Sequence, residues 1–168
     1  MSRTLRVRKA EGKDRIVLVN LIDGFRVELA QLRNREHERD LRAAEAELNG
    51  YLKDEYPIYI AESDEEEILG YMVCRVADVV VWVESIYVVP DLRRHGIAGA
   101  LYEKAEQLAA ELGWDAPYNW VDPNNDAMIR FLKGRGYSVL NLIELRCPRT
   151  AESLTQRICV DHQEFDRP

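Results

Sequence analysis

The run Arg93-Arg94-His95-Gly96-Ile97-Ala98-Gly99 puts guanidinium groups, an imidazole and two glycines at the mouth of a helix. Bare backbone at that place presents free N–H groups at the positive end of the helix dipole, so the natural guest is an anion, phosphate above all. His95 would add charge when protonated, or simply face solvent from its loop. Two glycines three apart are also what close helix packing asks for, so the loop does not decide by itself. Upstream, Glu84 is the one carboxylate inside the apolar run "VVVWVESIYVVP". An acid so placed either accepts protons or pairs with a neighbouring arginine.

Other chemistries lack their residues. The GxxxxGK[ST] phosphate loop is absent, and "GIAGAL" misses both the GxGxxG spacing and the acidic ribose partner of a dinucleotide site. Cys74, Cys147 and Cys159 form no CxxC pair and have no histidine partner in sequence, while His37 and His162 stand outside metal-ligand spacing. No metal site and no cysteine nucleophile are expected.

The elements that would carry these residues follow from periodicity. "LRVRKA" alternates as a strand, and Leu18, Leu21, Ile22, Phe25, Leu29 and Leu32 make a helical stripe interrupted by Gly24. Leu41, Ala44, Leu48 and Leu52 mark a second helix, and "IYIAE" and "ILGYMVCRVA" are strands joined by the acidic turn "SDEEE". The β-branched run around Glu84 suits the middle of a sheet. Leu101, Ala105, Leu108 and Leu112 define the helix after the glycine loop, "PYNWV" the next strand, an Asn- or Asp-capped helix follows in "DPNNDAMIRFLKG", and "YSVLNLIELR" a last strand.

With 168 residues, 46% hydrophobic and 32% charged, the chain is expected to form one compact α/β domain over 1–146. The tail, 147–168, has only Leu154, Ile158, Val160 and Phe165 as apolar anchors and would cover an edge, help form a homodimer or stay loose. The net charge of -7 repels nucleic acid and anionic lipid. Strand-length apolar runs and unpaired cysteines point to a reduced, cytoplasmic setting without a membrane span.

Two motifs in order, Arg93-x-x-Gly96-x-Ala98 and then Asn125, Met128, Phe131 and Gly136-Tyr137, resemble the GNAT superfamily of N-acetyltransferases from about Ile58 to Arg146. The resemblance implies a three-layer fold, a twisted, mixed and mostly antiparallel sheet that splays between its fourth and fifth strands, flanked by helices. It further implies acetyl-CoA as cosubstrate, with the pantetheine arm beside the backbone of Ile86, Tyr87 and Val88. The pyrophosphate would lie on Arg93, Arg94, His95, Gly96, Ile97, Ala98 and Gly99. Asn125 falls where the family has an asparagine near the coenzyme arm, and is equally a helix N-cap.

By the same likeness Glu84 is the general base, strengthened by burial, for direct attack of a primary amine on the thioester. An alkylamine of pKa about 10.4 must lose a proton before it can attack. The oxyanion would rest on a strand N–H near Tyr87 or Val88. Leu132 stands where many relatives place an acidic tyrosine, so the thiolate leaves unaided or with Tyr87, Tyr102, Tyr118 or Tyr137. Glu28, Glu36, Glu38, Asp78 and Asp122 would make the wall for the small-molecule or peptide amine acidic. The competing reading is an acyl-CoA-binding regulatory module without turnover.

Overall fold

A computed structural model describes residues 5–78 and 80–167. The chain divides into two compact units: residues up to Leu29 with His37–Trp120, and Ala30–Glu36 with the chain from Val121 onward.

The first unit is built on five strands in the order β1 (Arg6–Lys9), β2 (Ile58–Glu62), β3 (Ile68–Ala77), β4 (Val80–Val88) and β5 (Tyr118–Asn119). β1 to β4 pair antiparallel, and β5 joins β4 in parallel. That last pairing covers only Trp82↔Tyr118 and Val83↔Asn119, whereas β4 runs on to Val88. The sheet therefore opens between β4 and β5, as the resemblance implied. "PYNWV" supplies just these two strand residues.

One face of the sheet carries α1 (Arg15–Leu32) and α2 (Leu41–Lys53). Leu18, Leu21, Ile22, Ala44 and Leu48 pack there against Ile58, Ile60, Tyr71 and Val73. The apolar stripes at three- and four-residue steps are the reason both segments are helical, since a helix gains most of its stability from burying such a face. The buried stretch of each stripe is shorter than the pattern, for Leu41 and Leu52 are about half exposed. Asp23 is fully buried in α1, where Arg39 donates to its Oδ2 and the Asp40 N–H to its Oδ1 at 2.8 Å. Asp40 in turn caps α2 by accepting from Ala43 N–H at 3.0 Å. Near β1, Arg8 donates to both oxygens of Asp14, at 2.7 and 3.0 Å, and to Glu62 at 2.8 Å.

α3 (Ile97–Glu111) packs on the opposite face through Ile97, Leu101, Tyr102, Ala105 and Ala109. This face is rotated from the expected one: Leu108 is half-buried and Leu112 exposed, because the small Ala109 lets the helix approach the strands closely.

The second unit contains α4 (Asp126–Gly134) and an antiparallel hairpin of β6 (Gln156–Val160) and β7 (Gln163–Arg167). Asn124 Nδ2 donates to Leu32 O, and Arg33 pairs with Asp122 at 2.7 Å. The hairpin turns at Asp161, whose φ of 54° suits a short reverse turn. Ile158 faces Phe165 across it, and the tail is thus folded on itself. The expected strand "YSVLNLIELR" does not form. Val139, Leu140, Leu142, Ile143 and Leu145 are at least half exposed and no strand pairs with them. Alternation marks a segment that could be a strand, but a ladder also needs a free edge beside it.

Candidate active site

The candidate residues of the first unit lie on β4, where it loses β5, and in the loop that follows it. The register of β3 against β4 shifts there: Val73 faces Ser85 and Cys74 faces Val83, which leaves Glu84 as the extra residue of a β-bulge. A bulge turns its side chain out of strict alternation. Glu84 consequently shares the α1/α2 side of the sheet with Arg75, which donates through Nε to Glu84 Oε2 at 3.1 Å. Glu84 is not enclosed, contrary to the expectation of burial: its side chain keeps 28% exposure and Arg75 keeps 23%. The bulge at the edge of the core leaves it beside solvent. Its Oε1 has no hydrogen-bond partner among the described residues.

Beyond the bulge, the bond from Val89 N–H to Leu69 O fixes the ladder's phase. Antiparallel pairs alternate between bonded and non-bonded, so Tyr87 exchanges bonds with Tyr71 while Ile86 and Val88 turn theirs toward the missing β5. Val88 O is taken by Arg93 Nε at 2.9 Å. The N–H and C=O of Ile86 and the N–H of Val88 remain, a short edge suited to the amides of an extended ligand. Tyr87, expected to offer its backbone, is spent on β3. Its side chain instead lies against α1, where a Cβ on Gly24 would sit 2.8 Å from the Tyr87 hydroxyl. This close approach explains a glycine in mid-helix. Burial pushes the Tyr87 phenol up, opposed in part by Arg93, whose guanidinium sits 5.3 Å from the ring centroid.

The glycine loop follows a short 3₁₀ turn, Pro90–Leu92. Gly96 caps α3 with φ of 83° and no side-chain capping bond, and a Cβ there would meet nothing within 4 Å. The first N–H groups of a 15-residue helix, from Ile97, Ala98 and Gly99, thus have no side-chain cap to take them. Arg94 has φ of 68° and an exposed side chain with no partner among the described residues. His95 Nδ1 lies 3.3 Å from Leu92 O and the ring is otherwise exposed. Arg93 points elsewhere: its Nη2 donates to Glu28 at 2.6 and 2.8 Å, so its guanidinium ties the loop to α1. The donor set that fits a pyrophosphate is the helix N-terminus with Arg94.

Asn125 belongs to the second unit and caps α4, its Oδ1 accepting from Met128 N–H at 3.0 Å. Of the five carboxylates expected in an acidic wall, Glu28 is held by Arg93 and Asp122 by Arg33. Tyr102 OH bonds the side-chain amide of Asn119, and Tyr118 lies tilted against Trp82 with centroids 5.2 Å apart. Two groups escaped the sequence reading. Ser85 Oγ is buried and, like Tyr71 OH, makes no hydrogen bond among the described residues. Arg75 also lies over Trp82 and Trp120, 5.6 and 5.1 Å from the ring centroids. A polar residue after a carboxylate in a strand was the available signal for Ser85; nothing local announces Arg75.

Solved structures share this architecture at low identity. An acetyltransferase of the GNAT family from Staphylococcus aureus is 16% identical with a TM-score of 0.62, over 79% of this chain and 84% of that one. The PaiA N-acetyltransferase from Thermoplasma acidophilum, in complex with coenzyme A, is 14% identical with a TM-score of 0.65, over 79% and 88%. The aminoglycoside N-acetyltransferase AAC(6')-Iy, also with coenzyme A, is 16% identical with a TM-score of 0.65, over 89% and 97%. No curated protein matches the chain. The family model of the acetyltransferase (GNAT) family matches residues 24–137, which include β2 to β5, Glu84 and the glycine loop, and the chain belongs to that family of acyltransferases.

Proposed function

We propose that the protein is an N-acetyltransferase that moves the acetyl group of acetyl-CoA to a primary amine by direct attack. The observation that carries this reading is the juxtaposition, on one strand, of a carboxylate at a bulge and an unpaired backbone edge immediately after it. Ile86 and Val88 would align the pantetheine arm along that edge. Arg94 and the N–H groups of Ile97, Ala98 and Gly99 would hold the pyrophosphate.

Glu84 takes a proton from the incoming ammonium through its free Oε1, directly or through water. The amine nitrogen then bonds to the thioester carbon. The developing oxyanion is met by an edge N–H, that of Val88 or Ile86, since the Tyr87 N–H is committed to β3. The carbon–sulfur bond breaks as the attached nitrogen gives its second proton to water, so that a neutral amide forms and the thiolate leaves. A thiol of pKa about 8.5 is a tolerable leaving group without an acid, which suits Leu132 at the place of the tyrosine.

The test is release of free thiol from acetyl-CoA with a panel of amines, for wild type and Glu84→Gln. Amine-dependent release should fall by about 100-fold in the variant, mainly in kcat. Its melting temperature should stay near wild type, because an ion pair that stays in contact with solvent contributes about 0–1 kcal/mol. Tight acetyl-CoA binding with no turnover of any amine would make the protein a binding module instead.

A further inference from the structure

Beside Glu84, Arg75 is held in a way that an ordinary surface arginine is not. Its guanidinium lies over two indoles, Trp82 on β4 and Trp120 just after β5, whose centroids are 4.9 Å apart. Its Nε is anchored on Glu84. Neither Nη has a hydrogen-bond partner among the described residues. A planar fork, held against the indoles and anchored at one corner, is pre-organised to receive a carboxylate through two parallel N–H···O bonds.

We propose that Arg75 is the specificity determinant of the acceptor site, and that the acceptor is a zwitterion, a free α-amino acid whose carboxylate sits on the Arg75 fork while its amine meets Glu84. This inference rests on the acetyltransferase reading above. Arg75 and Glu84 are paired at 3.1 Å, so a carboxylate on the fork and an amine at Glu84 Oε1 belong to one small acceptor, and an α-amino acid carries the two groups on one carbon. A polycation would instead be opposed by a fixed guanidinium at the very carboxylate it needs. Trp120, 61% exposed, together with Trp82 and Tyr118 offers the amino acid's side chain an aromatic wall, which favours planar or long apolar side chains.

The experiment compares acceptors that differ only by the carboxylate: tryptophan with tryptamine, phenylalanine with phenethylamine, ornithine with putrescine. Thiol release is measured for wild type, Arg75→Gln and Arg75→Lys, and calorimetric titration of the same acceptors in the presence of coenzyme A reads binding without turnover. Wild type should prefer each amino acid to its amine. Arg75→Gln also removes the partner of Glu84 and so lowers turnover of both classes, but the preference in kcat/KM for each amino acid over its amine should shrink about 10- to 100-fold, through KM. Arg75→Lys should recover only part of this, since an ammonium lacks the fork.

Amines used as well as amino acids by wild type, or an equal loss for both classes in Arg75→Gln, would overturn the proposal and leave the acetyltransferase reading standing. Coenzyme A binding with no amino acid bound more tightly by wild type than by Arg75→Gln would overturn it as well. Failure of acetyl-CoA to bind at all would remove the acetyltransferase reading, and this proposal with it.

Discussion

Gly96 shows what a single residue does here. Its φ of 83° is a conformation that side chains resist, yet a Cβ would touch nothing, so any cost of Gly96→Ala is conformational rather than steric. About 1–2 kcal/mol of stability should be lost, and relaxation toward negative φ would turn the first N–H groups of α3 away from their common focus. Melting curves with and without acetyl-CoA check both effects. The variant should melt lower alone and gain less from the ligand, and Gly96→Asn should be milder, because asparagine visits this region more readily. Arg93 makes the complementary point. Its charge looked like a phosphate ligand in sequence, but the charge is matched by Glu28 and its Nε by Val88 O.

At the scale of elements, the contact of α1 with β4 is set by Gly24 and Tyr87. Alanine at position 24 gains about 1 kcal/mol in helix propensity but brings a Cβ to 2.8 Å from the Tyr87 hydroxyl and 3.1 Å from its Cζ. Overpacking against a rigid ring should win, and Gly24→Ala should be destabilising by about 1–2 kcal/mol. Deleting the hydroxyl removes the nearest atom. In a Tyr87→Phe background the same substitution should therefore cost clearly less, with the ring carbon at 3.1 Å still pressing on the new Cβ, and urea titration of the four proteins gives the coupling. Gly24 was legible in sequence only as a weak point of a helix; its reason lies on a strand far along the chain. The strand in "YSVLNLIELR" was misread in the opposite sense, because its alternation was real and its partner was not there.

For the whole molecule, acid stability tests the buried carboxylates. Burial alone would raise the Asp23 carboxyl, but the Arg39 guanidinium and the Asp40 N–H outweigh it and hold the group below the usual range. Asp14 is held down chiefly by Arg8. A depressed folded-state pKa means that these groups stabilise fully above the unfolded value of about 3.9, and that the contribution is lost as pH falls toward the folded value. Stability should drop steeply from about pH 5 to pH 3. Asp23→Asn should be about 1–3 kcal/mol less stable at pH 7, with a shallower slope over that interval, as urea denaturation at several pH values would show.

The sequence by itself determined the class of the fold, the order of its helices and first strands, and the anion-binding loop. These follow from local rules: a periodicity of two or 3.6, a glycine at a helix start, an asparagine at another. The tertiary structure alone decided what each charged side chain faces. Glu84 proved to be the extra residue of a bulge beside solvent, Arg93 a strut to α1, Ile86 and Val88 rather than Tyr87 the open edge, and Arg75 the cation beside two indoles. Each of these depends on register and on contacts between residues distant in the chain, and a one-residue shift of register reverses which side of a sheet a side chain or an amide addresses.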